Sequence, residues 1–217
     1  MSVDHPKPDV KRTRTYDASR RRRRAEQART ELLDVALARF LADGYAATTV
    51  NAIAADAGVS AATIFKSYGG KPGLVRALVQ RALEGAGPVP AEQRSDALQR
   101  EASDPHALID AWGRFVVEVA PRVSPILLLL KQSAASDPTA HELLAELDRQ
   151  RLRRMGHNAR TLADGGHLRP GVRWQDARDV LWLHTAPELY DLLVRQRGWS
   201  ISRFAAYITA SMKAALL

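Results

Sequence analysis

The chain contains no cysteine. Disulfides and thiolate metal ligands are therefore excluded, and the composition fits a reducing compartment. Long hydrophobic runs are missing as well. The longest strongly apolar stretch, Ile126 to Leu130, is far shorter than the roughly 20 residues that cross a bilayer. The N-terminus is basic and polar and lacks the apolar core of a signal peptide. These absences lead to the expectation of a cytoplasmic protein with no membrane contact. There is no Gly-rich phosphate loop, no nucleophile elbow and no His-Glu-Xaa-Xaa-His run. The six histidines (His5, His106, His141, His157, His167 and His184) are scattered without metal-ligand spacing. No enzyme, metal site or cofactor is expected. No segment alternates well enough to be read as a strand, so the expected fold class is all-α.

What the chain does have is apolar residues at helical spacing and a localised positive charge. Its 217 residues, 46% apolar, suffice for one or two globular domains with a real core. Residues 1–24 hold nine Lys or Arg against Asp4, Asp9 and Asp17, so six of the eight net positive charges fall there. Such a footprint points to a polyanionic partner. Residues 1 to about 19 lack apolar periodicity and are expected to be disordered in isolation. Arg20, Arg21, Arg22, Arg23 and Arg24 then lead into the first helix. A solvated run that aids solubility is the bland alternative to DNA contact. A localisation or membrane-surface patch is another.

The most informative stretch is Thr48 to Lys71, TTVNAIAADAGVSAATIFKSYGGK. Thr49 is placed to cap a short helix from Val50 to Ala57 that turns Ile53 and Ala54 inward. Gly58 suits the positive φ that ends a helix. Val59 plugs the corner, and Ser60 caps a second helix through Ser67, with Ile64 and Tyr68 facing inward. Two short helices joined by a Gly-containing turn form a helix-turn-helix, whose second helix can enter the DNA major groove.

The region from Leu33 to Leu78 resembles the DNA-binding domain of the TetR family of transcriptional regulators. The resemblance rests on Leu33, Ala36 and Phe40, then Gly44-Tyr45, Thr48-Thr49-Val50, Ile53-Ala54, Ala57-Gly58-Val59-Ser60, Thr63-Ile64-Phe65, Tyr68, Lys71 and Leu74. It implies base-facing positions at Ala61, Ala62 and Thr63. It implies phosphate-facing positions at Phe65, Lys66, Ser67 and Lys71, with Thr49 from the preceding helix. Asn51 and Ser60 lie near the same surface and complete, with Arg20 to Arg24, the expected DNA-contacting set. The sequence departs from the family at Phe65, usually Tyr, which loses a phosphate-bonding hydroxyl. The pair Ala61-Ala62 also offers no bidentate hydrogen bonding to a base edge. Direct readout is therefore expected to be thin and partly based on thymine methyl groups, with DNA shape and arm contacts supplying the rest.

The remainder reads as helices. The first is expected from about Arg22 to Ala42, with a stripe of Leu33, Ala36, Leu37, Phe40 and Leu41. A connecting helix carries Leu74, Val75, Leu78 and Val79. Residues 85–90 break the pattern, giving an arm (1–24), a helix-turn-helix domain (25–84) and a larger helical domain (91–217). Asp104-Pro105 and Asp137-Pro138 should each start a helix. Pro121 and Pro125 are expected to interrupt one, and Pro187 to bend or break another from about Trp174 to Gln196. The final helix, about Ser200 to Leu217, carries Ile201, Phe204, Ala205, Ile208, Met212, Ala215 and Leu216 on one face. Val180, Leu181, His184 and Leu192 form a less clean face before it. Both faces fit either this subunit's own core or, as the resemblance implies, a four-helix homodimer interface.

The resemblance further implies a repressor that binds a palindromic double-stranded DNA operator and is released by a small-molecule effector in the C-terminal domain. Expected effector contacts are Trp112, Phe115, Leu128, Met155, Trp182, His184 and Tyr190, favouring an apolar or aromatic ligand. Each also fits an ordinary core position. Arg149, Arg151, Arg153 and Arg154 fit either an anionic effector or a solvated face. The alternatives are a sequence-tolerant DNA-coating protein and a ligand-independent activator.

Overall fold

The computed structural model describes residues 10–85, 89–102 and 104–217, with side chains from residue 20 onward. Every regular element among them is helical: α1 (Val10–Asp43), α2 (Val50–Asp56), α3 (Ala61–Tyr68), α4 (Lys71–Glu84), α5 (Ala91–Glu101), α6 (Pro105–Ser133), α7 (Pro138–Asp164), α8 (Trp174–His184), α9 (Pro187–Tyr190) and α10 (Ile201–Leu216). A π-helical segment, Asp191–Gln196, continues α9.

Helix α1 is longer than expected. It starts at Val10, so residues 10–24 are helical rather than a disordered arm. Only residues 1–9 of that arm lie outside the described residues. The cause is local. No Pro or Gly, the strong helix breakers, occurs between Pro8 and Gly44, and Arg20 to Arg24 are good helix formers. Residues 20–31 are all exposed, and burial begins at Leu32. The basic end of α1 therefore projects from the core. Leu33, Ala36 and Phe40 are buried as the stripe predicts, but Leu41 is half exposed. It lies about 100° beyond Phe40 around the helix, past the edge of the stripe.

The buried residues of α4 include Leu74, Val75, Leu78, Val79 and Ala82. They belong to one cluster that also contains Leu33, Phe40, Ile53 and Ile64 on one side. On the other side the cluster takes in Ile126, Leu127 and Leu130 of α6 and Ala140, Leu143 and Leu147 of α7. A single apolar core thus runs across the sequence break at 85–90. Residues 86–88 of that break lie outside the described residues.

Asp104 accepts from Ala107 N and Asp137 from Thr139 N and Ala140 N, so both Asp-Pro pairs start helices as expected. Pro121 and Pro125, however, do not interrupt α6. Each proline costs about 3 kcal/mol in a helix interior. The buried face on either side (Val116, Ala120, Ile126, Leu127 and Leu130) offsets this, at about 1.5–3 kcal/mol for each fully buried large aliphatic side chain. Pro187 does break its helix: α8 ends at His184, and the short α9 restarts at Pro187.

Helix α10 buries Phe204, Ile208, Met212 and Leu216 within this chain, against α6 and α8. Of the two readings for its apolar face, the subunit's own core is therefore the one realised. Ile201, at the start of the same face, is exposed, and Ala205 and Ala215 are half-buried. Close packing needs Gly113 on α6, where an added Cβ would stand 2.2 Å from Thr209 Oγ1 of α10.

Candidate nucleic-acid interface

The helix-turn-helix is held by caps at both starts. Thr49 Oγ1 accepts from Ala52 N at 3.1 Å, and Ser60 Oγ accepts from Thr63 N at 3.1 Å. Gly58 adopts φ +64°, a left-handed turn that costs an L side chain roughly 1–2 kcal/mol. Ile53 and Ile64 are fully buried beneath the turn. Thr48, also buried, donates its hydroxyl to the Gly44 carbonyl at 2.7 Å. The recognition helix α3 is thereby fixed as a rigid ridge on the core.

Most of the expected DNA-contacting residues come together on the outside of this ridge. Thr49, Asn51, Ser60, Ala62, Thr63, Phe65, Lys66 and Ser67 are exposed. Ala61 is half-buried and packs against the core, so of the expected base-facing triplet only Ala62 and Thr63 are open to solvent. Thr63 Oγ1 lies 2.8 Å from Ser60 Oγ, which leaves the hydroxyl two of its three hydrogen-bonding sites. Phe65, 56% exposed, presents a bare ring to solvent. Arg20 to Arg24 are exposed on the projecting end of α1.

Lys71 is placed differently. Its ammonium donates to the carbonyls of Tyr45 at 2.8 Å and Ala46 at 3.3 Å and lies 4.5 Å from the centre of the Tyr45 ring. It closes the α1–α2 loop from within. Tyr45 is fully buried and stacks on Phe40 at 5.7 Å. Burial pushes its phenol up to about 12.

Sequence reasoning missed the clamp between α1 and α2. The Arg39 guanidinium donates to both carboxylate oxygens of Asp56 and to Asp43. Hydrogen bonding raises the Arg39 guanidinium pKa and holds Asp56 below its ordinary value. The clamp pairs the carboxylate of Asp56 on α2, and Lys66 is the one charged side chain on α3. No local signal marks a pair 17 positions apart.

The seven expected effector contacts do not line one cavity. Trp112 and Met155 meet in a cluster with Leu181 and Met212. Phe115 lies under Arg94 at 4.8 Å, and Trp182 lies under Arg151 at 4.5 Å. His184 is buried, with Nδ1 2.7 Å from the Val180 carbonyl. Tyr190 packs edge-on against Phe204 at 5.8 Å in another cluster with Val116 and Ile208. Leu128 is half-buried. Among the described residues, no group of three or more potential metal ligands occurs, and no helix is long and apolar enough to cross a membrane.

Comparison with known proteins places this geometry. Residues 32–78 match the family model described as bacterial regulatory proteins, tetR family. No curated protein is similar enough in sequence to count as a relative. Among solved structures, the chain is similar to NalD, the secondary repressor of the MexAB-OprM multidrug efflux pump in Pseudomonas aeruginosa. That match has 20% identity and a TM-score of 0.70 and covers 90% of this chain and 98% of NalD. A SmeT–triclosan complex matches at 22% identity and a TM-score of 0.66, over 88% of this chain and 92% of that one. Salmonella enterica GusR matches at 18% identity and a TM-score of 0.63, over 88% and 95%. At these identities the structural matches establish a shared fold.

Proposed function

We propose that this chain, which belongs to the TetR family of transcriptional regulators by its N-terminal residues 32–78, is a dimeric repressor that a small-molecule effector releases from its operator. The observation that carries the reading is the capped, core-anchored α3 ridge with Ala62, Thr63, Phe65, Lys66 and Ser67 turned outward. A second copy is supported by apolar side chains left exposed on the packed pair α8 and α10, Leu183 at 56% and Tyr207 at 42%. A two-fold pair would present two α3 helices one DNA turn apart, about 34–36 Å, and so read an imperfect palindrome.

An effector acts by favouring a conformer in which that spacing is wrong. The continuous core from α1 through α4 to α6 and α7 supports such coupling. Occurrence of the same fold in a complex with triclosan and in an efflux-pump repressor supports a ligand-responsive role. Trp112 and Met155, central to α6, α7 and α8, are the effector contacts this reading favours.

The test is selection of bound sequences from a random DNA pool at physiological salt. An enriched palindrome with half-sites one turn apart is expected. Equal, strongly salt-dependent binding to all sequences would replace this reading with a sequence-tolerant DNA-coating role. That alternative draws on the exposed Arg20 to Arg24 and the weak base-reading capacity of Ala61 and Ala62.

A further inference from the structure

The seam between α5 and α7 is polar. Arg154 donates to Asp96 at 2.6 Å, Gln99 Nε2 donates to Asn158 Oδ1 at 3.0 Å, and Thr161 Oγ1 donates to Gln99 Oε1 at 2.7 Å. At this seam opens a groove of about 370 Å³, lined by Glu92, Gln150, Arg153, Arg154 and His157.

The groove holds cationic donors in excess of acceptors. The Arg154 side chain is only 17% exposed, and its Nε–H is buried without a partner. A guanidinium has five N–H donors in a fixed fork, and a buried one left open is costly. The carboxylate that faces it, Asp96, is divided: His157 Nε2 lies 3.5 Å from the same oxygen. Arg153, the preceding residue on α7, is exposed and has no ion pair or hydrogen bond among the described residues. The other buried polar side-chain atoms without partners in α5–α8 are Arg94 Nε, Trp112 Nε1, Arg151 Nε and Trp182 Nε1, all N–H donors as well. At the groove itself, the cations Arg153 and Arg154 stand against one carboxylate in the lining, Glu92.

We propose that the α5–α7 groove binds a small organic anion, with a carboxylate or phosphate group held by the guanidinium groups of Arg153 and Arg154. Charge-assisted bonds from a planar fork suit an oxyanion of either kind. Glu92, also in the lining, disfavours a second anionic group on the ligand. It suits a hydrogen-bond donor or ammonium at the far end of the ligand. The site stands apart from the Trp112–Met155 region and concerns occupancy alone, whether or not occupancy releases DNA.

The test is an NMR titration of the full chain with sodium acetate and, separately, inorganic phosphate at constant ionic strength, following the amides of residues 92–96 and 150–157. Location matters because the Arg20–Arg24 helix end will attract anions of its own. Saturable shifts in these two segments are expected. Saturation by acetate alone identifies a carboxylate ligand, and saturation by phosphate alone a phosphate ester. Asp96→Asn removes the competing carboxylate and should tighten binding severalfold, a gain that misfolding cannot imitate. Arg153→Ala, at an exposed side chain without partners, should weaken it. The proposal fails if neither anion moves these amides saturably, if Asp96→Asn binds no tighter, or if Arg153→Ala titrates like the parent.

Discussion

At the scale of single residues, the recurring device is a cation laid on an aromatic face. Three of the four tryptophans carry one: Arg160 lies 3.9 Å from the centre of the Trp174 ring, Arg151 4.5 Å from Trp182, and Arg203 3.9 Å from Trp199. Arg151 is largely buried in its stack, and desolvation lowers its pKa despite the neighbouring Asp148. Lys71 over Tyr45 belongs to the same group and decides what that lysine does. With its ammonium on the Tyr45 and Ala46 carbonyls, Lys71→Met should destabilise the fold by about 1–2 kcal/mol, as hydrogen bonds to a charged donor are lost. The salt dependence of DNA binding should stay unchanged. Denaturant unfolding and a salt titration of operator affinity separate the two roles. A slope shallower by about 1 with full stability would return Lys71 to the phosphate-contacting set. The sequence supplied Thr49, Ser60, Ile53 and Ile64 correctly because caps and helical spacing are local. It did not supply the stacks, whose partners lie up to 31 positions apart, as for Arg151 and Trp182.

At the scale of elements, the capped helix starts and the turn were legible from neighbouring residues, whereas the extent of α1 and the continuity of α6 were not. Asp-Pro starts and the Gly58 turn follow from chemistry within four residues. Pro121 and Pro125 carry the same local signal as Pro187, yet α6 runs through both, while the helix at Pro187 breaks. Buried residues flank the prolines of α6 on both sides, Val116 and Ala120 before them and Ile126, Leu127 and Leu130 after. The contact between α4 and α7 was equally invisible. There Arg76 forks onto Glu146 across 70 positions, with Nε 3.0 Å from Oε1 and Nη2 2.6 Å from Oε2. The Arg76 hydrogen bond holds the Glu146 carboxyl below its ordinary value. A carboxyl depressed on folding stabilises the native state above its unfolded pKa, and the contribution fades as pH falls through the lower folded value. Because both side chains are partly exposed, the bridge contributes about 0.2–1 kcal/mol. Glu146→Gln should therefore melt slightly below the parent at pH 7 and level with it under strongly acidic conditions. Paired thermal melts across that range check this. A difference that persists in acid would mean that the side chain acts through packing rather than charge.

At the scale of the whole molecule, the charge asymmetry and the core divide the chain differently. The core runs through from α1 to α7, whereas the basic residues at the start project beyond it on a helix. That helical state has a consequence for DNA binding that a disordered arm would not share. Successive residues on a helix are turned by about 100°, so Arg20 to Arg24 wrap more than one full turn. Only Arg20, Arg23 and Arg24, at the i, i+3 and i+4 positions, share a face toward one phosphate backbone. Each phosphate neutralised contributes about 0.9 to the slope of log affinity against log salt. Replacing all five arginines by Gln should then flatten the slope by about 2.7 per subunit, because three contacts are lost. A flexible arm able to turn every side chain inward would lose about 4.5. A salt titration of parent and five-fold variant on the same operator separates the two values. The smaller change would place α1 along the DNA backbone as a rigid helical extension of the domain that carries α3. The larger would mean that the helix end unwinds on DNA, and an unchanged slope would remove these arginines from the interface.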